Sequence, residues 1–181
     1  MDCQLDSHYV QLLESKIENA RFARVDSDTV DNLIPKEDKA KPELTDEQKE
    51  EISTIFKTVL PKDNEYYVQA ENLGAEAAPI LITQSEFMRR YREMSAMGGG
   101  MNFYGEMPQM YNIIVNMENP LVAKVLSAAE SHKENIEAFA SGSDMLRQIT
   151  DLALLANGML KGKELSDFIA RSAKVVEDAY L

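Results

Sequence analysis

Residues capable of chemistry are few and widely spaced in this chain of 181 residues. Gly98–Gly100 could line a phosphate-binding loop, but they follow a predicted helix rather than a strand, and no Lys, Ser or Thr stands where a phosphate would need it. His8 and His132 lack companions at metal-ligand spacing, so we expect both at the surface. Cys3 has no nearby His partner, which argues against a nucleophile. The sequence therefore predicts no catalytic residue, no metal site and no cofactor site.

The net charge and the cysteine count indicate which binding partners and which compartment to expect. The formal net charge of −12 argues against nucleic acid and against an anionic membrane, because both require a basic surface. A single cysteine excludes an internal disulfide and is typical of a reducing compartment, so we expect a cytoplasmic protein. The sequence contains no apolar run of membrane-spanning length and no signal-peptide pattern at its start.

Methionine is concentrated in one segment. Seven of the 10 methionines lie between Met88 and Met117, and the segment 93–110 adds Phe103, Tyr104 and four glycines. Methionine side chains are unbranched and adapt to many apolar shapes, so this segment could form a low-specificity binding surface. Alternatively, the methionines fill the core beneath a loop. The sequence leaves both interpretations open.

The first half of the chain alternates structured and charged stretches. Apolar spacing predicts a helix over 8–17 and alternation predicts a short strand over 21–26. The stretch 35–51 holds seven acidic and four basic residues and predicts a solvated linker that leads into a helix. Thr45 and Gln48 form a capping-box pattern at the start of that helix, which a proline ends.

Three further stretches read as strands, over 65–70, 79–83 and 111–117. Thr83 and Glu86 suggest a second capping box and a helix that runs to the glycines. The order of elements predicts an α+β fold in which a small three-stranded sheet packs with helices and is covered on one side.

The last 39 residues, 143–181, predict two amphipathic helices joined by a turn containing Gly158 and Gly162, both expected at positive φ. Such a hairpin could pair with its own copy as a four-helix bundle, or it could pack on its own domain. The two apolar stripes consist of Leu146, Ile149, Leu152, Ala153, Ala156 and Leu160 in the first helix, and Leu165, Phe168, Ile169, Ser172, Val175, Val176 and Ala179 in the second.

Long strings of this sequence resemble a known family. PILITQSEFMRRYREMSAM, NFYGEMPQMYNIIVN and QITDLALLANGMLKGKELSDFIARS are similar to the C-terminal region of the bacterial ninety-kilodalton heat-shock chaperones, the HtpG family. The opening QLDSHYVQLLESK resembles the last elements of that family's middle domain. The resemblance implies a middle-domain tail over 1–34, a charged linker and helix start over 35–50, and a C-terminal dimerisation domain over 51–181.

The resemblance also implies a function. The expected role is homodimerisation and contact with non-native client proteins within an ATP-dependent chaperone of the stress response. ATP and Mg would bind the family's N-terminal domain, which has no counterpart here, so this chain is expected to be no enzyme and to hold no cofactor. Because the chain ends in Asp178-Ala179-Tyr180-Leu181 rather than in an MEEVD tail, the resemblance implies no co-chaperones recruited by such a tail.

By position, the resemblance assigns two sets of site residues. The dimer interface is expected at Leu152, Leu155, Met159, Leu165, Phe168, Ile169, Ser172, Val175 and Val176. Client contact is expected at Met88, Tyr91, Met94, Met97, Met101, Phe103 and Tyr104. The alternative is a small ligand-binding or enzymatic α+β domain with a glycine-rich pocket near Gly98–Gly100.

Overall fold

A computed structural model describes residues 4–19, 22, 44–85, 88 and 109–180. Its helices are α1 (Gln4–Lys16), α2 (Asp46–Val59), α3 (Pro120–Glu130), α4 (Ile136–Gly142), α5 (Asp144–Ala156) and α6 (Gly162–Tyr180), with a 3-10 turn at Lys133–Asn135. Its strands are β1 (Glu65–Glu71), β2 (Ile80–Thr83) and β3 (Met110–Asn116). The predicted α+β class is confirmed. The predicted strand over 21–26, apart from residue 22, and most of the charged linker lie outside the described residues.

The three strands form a mixed sheet in the order β1-β3-β2. The last strand of the sequence is therefore the central one. β1 runs parallel to β3, with Val68 opposite Ile113, and β2 runs antiparallel to β3, with Ile82 opposite the same residue. All three predicted strands are confirmed to within one residue at each end, but nothing in their individual patterns gave this order.

One face of the sheet forms the core with the helices. Side chains on that face recur at every second position of each strand, as a pleated backbone requires, and the core also contains Ile55, Phe56 and Leu154. The core-facing strand residues are Tyr66, Val68, Ala70, Ile80, Ile82, Tyr111, Ile113 and Val115. The expectation of a sheet covered on one side is too simple, because Ile114 and Thr83 on the opposite face are also buried.

α2 begins as the sequence predicts. The Thr45 hydroxyl accepts a hydrogen bond from the Gln48 amide at 3.2 Å, and the Gln48 side chain accepts one from the Thr45 amide at 3.0 Å. This reciprocal pair satisfies two backbone donors that the first turn leaves unpaired. α2 then buries Ile52, Ile55 and Phe56 against β1, α4 and α5.

The second predicted capping box is wrong. Thr83 is the last residue of β2, where its hydroxyl is buried and has no hydrogen-bond partner among the described residues. The hydroxyl that accepts a backbone amide three residues later belongs to Ser85 instead, which accepts from the Met88 amide at 3.3 Å. A β-branched threonine fits the end of a strand as well as the start of a helix, so the spacing alone was ambiguous.

Asn116 joins the end of β3 to the loop between β1 and β2. Its side chain is fully buried, donates to the Gly74 carbonyl at 2.8 Å and accepts from the amides of Leu73 and Glu118 at 3.1 and 3.2 Å. The Glu118 carboxylate accepts from the Gly74 amide at 2.6 Å. These bonds fix the corner from which α3 starts.

Candidate functional site

The C-terminal hairpin consists of α5 and α6, and the predicted turn between them is confirmed. Gly158 has a φ of 65° and its amide donates to the Leu155 carbonyl, while the Met159 amide donates to the Leu154 carbonyl at 2.9 Å. This pair of bonds is a Schellman motif. The motif requires one residue in the left-handed backbone conformation, which glycine adopts without strain. Gly162, with a φ of 57°, then starts α6.

The inner face of the hairpin belongs to the core of its own domain. Leu154, Leu160 and Phe168 are buried, and Met159 and Leu165 are half-buried against the same cluster. α5 contacts β2 and α2 as well as α6. The hairpin is therefore anchored through α5, and Phe168 is the one residue of α6 that is buried within the chain.

The outer face of the hairpin presents an apolar stripe to solvent. Leu152 and Leu155 of α5 are 47% and 40% exposed, and Ile169, Val175 and Val176 of α6 are 57–58% exposed. These five residues, called the apolar stripe below, all belong to the predicted dimer interface. Five large apolar side chains exposed on one helical hairpin are typical of a surface that meets a partner.

Two polar contacts cross between the helices beside this stripe. The Arg171 guanidinium donates to the Asp151 carboxylate, and the Gln148 amide donates to the Ser172 hydroxyl at 2.7 Å. Asp151 is only 7% exposed, and the Arg171 side chain is 21% exposed. Sequence reasoning missed this ion pair because aspartate and arginine 20 positions apart carry no local signal. Ser172 was predicted only as an interface residue.

Burial raises the pKa of the Asp151 carboxyl above its ordinary value of 3.8. The neighbouring Arg171 guanidinium, and Arg147 one turn earlier on α5, both lower this pKa, but the loss of hydration outweighs them. The ion pair thus compensates only part of what burial costs the carboxylate.

The predicted client-contact residues fall almost wholly outside the described part of the chain. Met88 is half-buried, and its amide bonds to Ser85. The other six, Tyr91, Met94, Met97, Met101, Phe103 and Tyr104, lie outside the described residues, so this assignment stays a prediction. Gly98–Gly100 and Cys3 lie there too.

In the described residues, the side chains that could act as catalytic groups or metal ligands do not lie together in one site. His132 is exposed, stacks on Phe139 with 5.1 Å between ring centroids, and bonds through Nδ1 to the Ala128 carbonyl at 2.9 Å. An open groove beside it, lined by Glu130–Asn135 and by residues of α4, is far in sequence from the predicted glycine-rich pocket.

Residues 4–19, 44–85 and 109–180 contain no cluster of three metal-ligating side chains. None of the described helices is both long enough and apolar enough to span a bilayer.

Known proteins resemble this chain over nearly its whole length. It is 38% identical to the chaperone protein HtpG of Bacteroides thetaiotaomicron and 36% identical to HtpG of Porphyromonas gingivalis and of Bacteroides fragilis, in each case over 97% of this chain. The predicted resemblance to the HtpG chaperones is thus confirmed. No protein-family model matches the chain.

The match covers only part of each relative. The chain spans about one third (34%) of the length of the curated relatives it matches. The aligned stretch is 234 residues long and therefore exceeds the 181 residues of this chain. Within the matched region, the relatives thus carry additional residues that have no counterpart here.

Proposed function

We propose that this chain, related over 97% of its length to the HtpG chaperones, is the homodimerising and client-contacting part of an ATP-dependent protein-folding chaperone of the cytoplasm. The relatives support the general role, because they are named chaperones. The apolar stripe is the observation that supports dimerisation. ATP binding and hydrolysis would belong to parts of the longer relatives that this chain does not match.

The exposed geometry of α6 supports a two-fold contact. Ile169, Val175 and Val176 lie more than half exposed on a helix whose inner side is already anchored by Phe168. Leu152 and Leu155 extend the same apolar character onto α5. Two copies of such a hairpin would make a four-helix bundle, in which each stripe is withdrawn from water by the other.

A stable dimer would serve the proposed chaperone cycle. Holding two chains together at this end raises the effective concentration of their other domains for one another. ATP-dependent closure of those distant domains can then be cooperative. The methionine-rich segment would supply adaptable apolar contacts with non-native chains.

The mass of the chain in solution tests dimerisation. Light scattering on a size-exclusion column should give twice 20.4 kDa, and this mass should persist on dilution to low micromolar concentration. Ile169→Asp and Val175→Asp should each yield a monomer, because the new carboxylate would be buried in the interface. Ala170→Asp is the matched control, since Ala170 is exposed outside the stripe and the charge change is the same.

Either of two results would contradict the dimer assignment. One is a wild-type chain that is monomeric at every concentration. The other is a dimer that survives both substitutions in the stripe.

Client contact is tested separately. Met94→Ser with Met97→Ser should weaken binding of a reduced, unfolded client protein, measured by fluorescence anisotropy, and should leave the dimer mass unchanged. Loss of the dimer in this variant would instead place these methionines in the core.

Nucleotide titration by calorimetry tests whether ATP binding belongs to parts of the relatives that this chain does not match. We expect no binding of ATP by this chain alone. Saturable ATP binding would favour the alternative of a ligand-binding domain.

A further inference from the structure

The outer edge of strand β1 carries backbone groups that none of the described strands pairs. The sheet order is β1-β3-β2, so β1 has a neighbouring strand on one side only. The Glu65 amide donates to the Gln109 carbonyl at 2.9 Å, and the Glu71 carbonyl accepts from the Met117 amide at 2.9 Å. In a parallel ladder, both backbone groups of one residue point to the same side, and successive residues alternate. The odd-numbered residues of β1 thus bond to β3, and the even-numbered residues point away from it.

Three residues, Tyr66, Val68 and Ala70, direct their amides and carbonyls to this outer side, and they are called the open edge below. All three are only half-buried although they lie on the core face of the sheet. Ile113 and Val115, their neighbours on β3, are fully buried. This difference indicates that water reaches the sheet from the β1 side. The open edge therefore offers three donors and three acceptors to an added strand.

β1 lacks the usual protection of an edge strand. Natural edge strands are commonly kept short, bulged, or blocked by proline or lysine. β1 is seven residues long, pairs with β3 in an unbroken register, and contains neither proline nor lysine. Tyr67 on its outer face is 59% exposed, so its ring is placed to pack against a side chain of an added strand. β2, at the other edge of the sheet, has only four residues.

The charges near the start of β1 select the kind of strand that fits there. Residues 61–72 hold three acidic residues and one lysine, and Asp63 and Glu65 are exposed. Burial raises the pKa of Tyr66, and the carboxylates of Asp63 and of Glu164 in α6 raise it further. A hydrogen bond from the Asn64 side chain opposes this only in part. Carboxylates thus surround this end of the open edge and favour a partner that brings Lys or Arg to it.

A second copy of this chain fits the open edge less well. Two β1 strands paired antiparallel about Val68 would place Glu65 of each copy opposite Glu71 of the other. Like charges directly opposite one another destabilise a strand pair. The net charge of −12 on each chain adds to the repulsion. An extended basic segment of a different protein avoids both penalties.

We propose that the open edge binds an extended, basic segment of a non-native protein, which joins the sheet as a fourth strand beside β1. Backbone hydrogen bonds would supply affinity with little regard to sequence, and the carboxylates would favour segments that carry Lys or Arg. This inference deepens the proposed client contact and rests on it for its role in the chaperone. It assigns part of that contact to the sheet, in addition to the methionine-rich segment.

Amide hydrogen exchange measured by NMR tests the added strand directly. The probe is a soluble peptide of about ten residues in which valine alternates with lysine. The amides of Tyr66, Val68 and Ala70 should exchange fast in the free chain and at least about tenfold more slowly when the peptide saturates it. The amides of Tyr67 and Gln69 bond to β3 and should be protected throughout. Saturation without new protection at the open edge would overturn the inference.

A proline in the open edge tests the same contact by affinity. Val68→Pro removes one outward donor and leaves the bonds to β3 in place, because the Val68 amide faces away from that strand. Its affinity for the peptide, measured by fluorescence anisotropy, should fall roughly tenfold. Val68→Ala is the matched control, since it also loses the valine side chain but keeps the amide, and it should bind more tightly than Val68→Pro. Equal affinities of the two variants would contradict the added strand.

The charge selection has its own control. A peptide in which glutamate replaces lysine should bind the wild-type chain roughly tenfold more weakly. Equal binding of the basic and the acidic peptide would overturn the preference for a basic segment. If Val68→Pro fails to fold, the exchange pattern of the wild type decides between the outcomes.

The results separate this inference from the proposed function. If the unfolded client protein binds but the peptide protects none of the three amides, the open edge is not the contact and the proposed client contact stands. If neither the client nor the peptide binds, both proposals fail. Protection of the same amides that grows with protein concentration, without any peptide, would show that a second copy covers the edge and would overturn the basic segment as its occupant.

Discussion

At the scale of single residues, Asn116 determines the path of a whole loop. Replacing it by alanine would leave the amides of Leu73 and Glu118 and the carbonyl of Gly74 without their buried partner. We expect Asn116→Ala to lower the free energy of unfolding by about 3 kcal/mol. Urea denaturation measures this value.

Asn135 provides the comparison for that experiment. It caps α4 through a single exposed hydrogen bond to the Ala138 amide at 3.1 Å, so Asn135→Ala should cost about 1 kcal/mol. If Asn116→Ala and Asn135→Ala lowered the free energy of unfolding equally, a special role for the buried side-chain amide of Asn116 would be contradicted.

Asp151 gives a pH-dependent signature. Because its pKa is raised in the folded protein, the folded state takes up a proton at higher pH than the unfolded chain does. Its contribution to stability is therefore fully present below the ordinary value of 3.8 and is lost as pH rises through the raised pKa. The stability of the wild type relative to Asp151→Asn should thus increase as pH falls towards 4, measured by urea denaturation at a series of pH values. If the stability of the wild type relative to Asp151→Asn instead decreased as pH fell, the raised pKa of Asp151 would be contradicted.

Local sequence signals predicted local contacts and little else. The Thr45–Gln48 capping box was predictable because both residues lie within one helical turn. The Asn116 network spans more than 40 positions and the Asp151–Arg171 pair spans 20. Contacts at such separations depend on tertiary packing, so residue types and spacing did not reveal them.

At the scale of elements, the hairpin turn depends on glycine at Gly158. A Cβ atom there would meet no neighbour within 4 Å, so the cost of Gly158→Ala is that of the backbone alone, at a φ of 65°. We expect a loss of about 1 kcal/mol in unfolding free energy.

Gly142 is the matched control for that substitution. It also has open space around its Cβ position, but its φ lies outside the left-handed region and it is the last residue of α4. Gly142→Ala should therefore be neutral or stabilise by about 0.5 kcal/mol. A loss as large as that of Gly158→Ala would show that backbone conformation is not the cause.

Element types were more predictable than their arrangement. Alternation and β-branched residues located all three strands, and the apolar periodicity located α2, α5 and α6. The parallel pairing of β1 with β3 was not predictable, since each strand would satisfy its pattern beside either neighbour. Thr83 was misassigned as a helix cap, although the end of β2 was predicted correctly, because threonine occurs both at strand ends and at helix starts.

At the scale of the whole molecule, a dimer would couple stability to concentration. If folding and association are linked, the unfolding midpoint should rise with protein concentration, since mass action favours the associated folded state. Differential scanning calorimetry of the wild type over a wide concentration range measures this shift. The midpoint of Ile169→Asp should be independent of concentration, and a shift equal to that of the wild type would contradict the stripe as the interface.

The strand order also has a consequence for synthesis. β1 and β2 do not pair with each other, and each joins the sheet only through β3. Glu65 must find Met110 across a long intervening chain, and this slow closure cannot start until β3 has left the ribosome. A nascent chain that ends before Met110 therefore holds two strands without a partner. This part of the chain is committed to fold after its central strand is made, rather than progressively from its first residue.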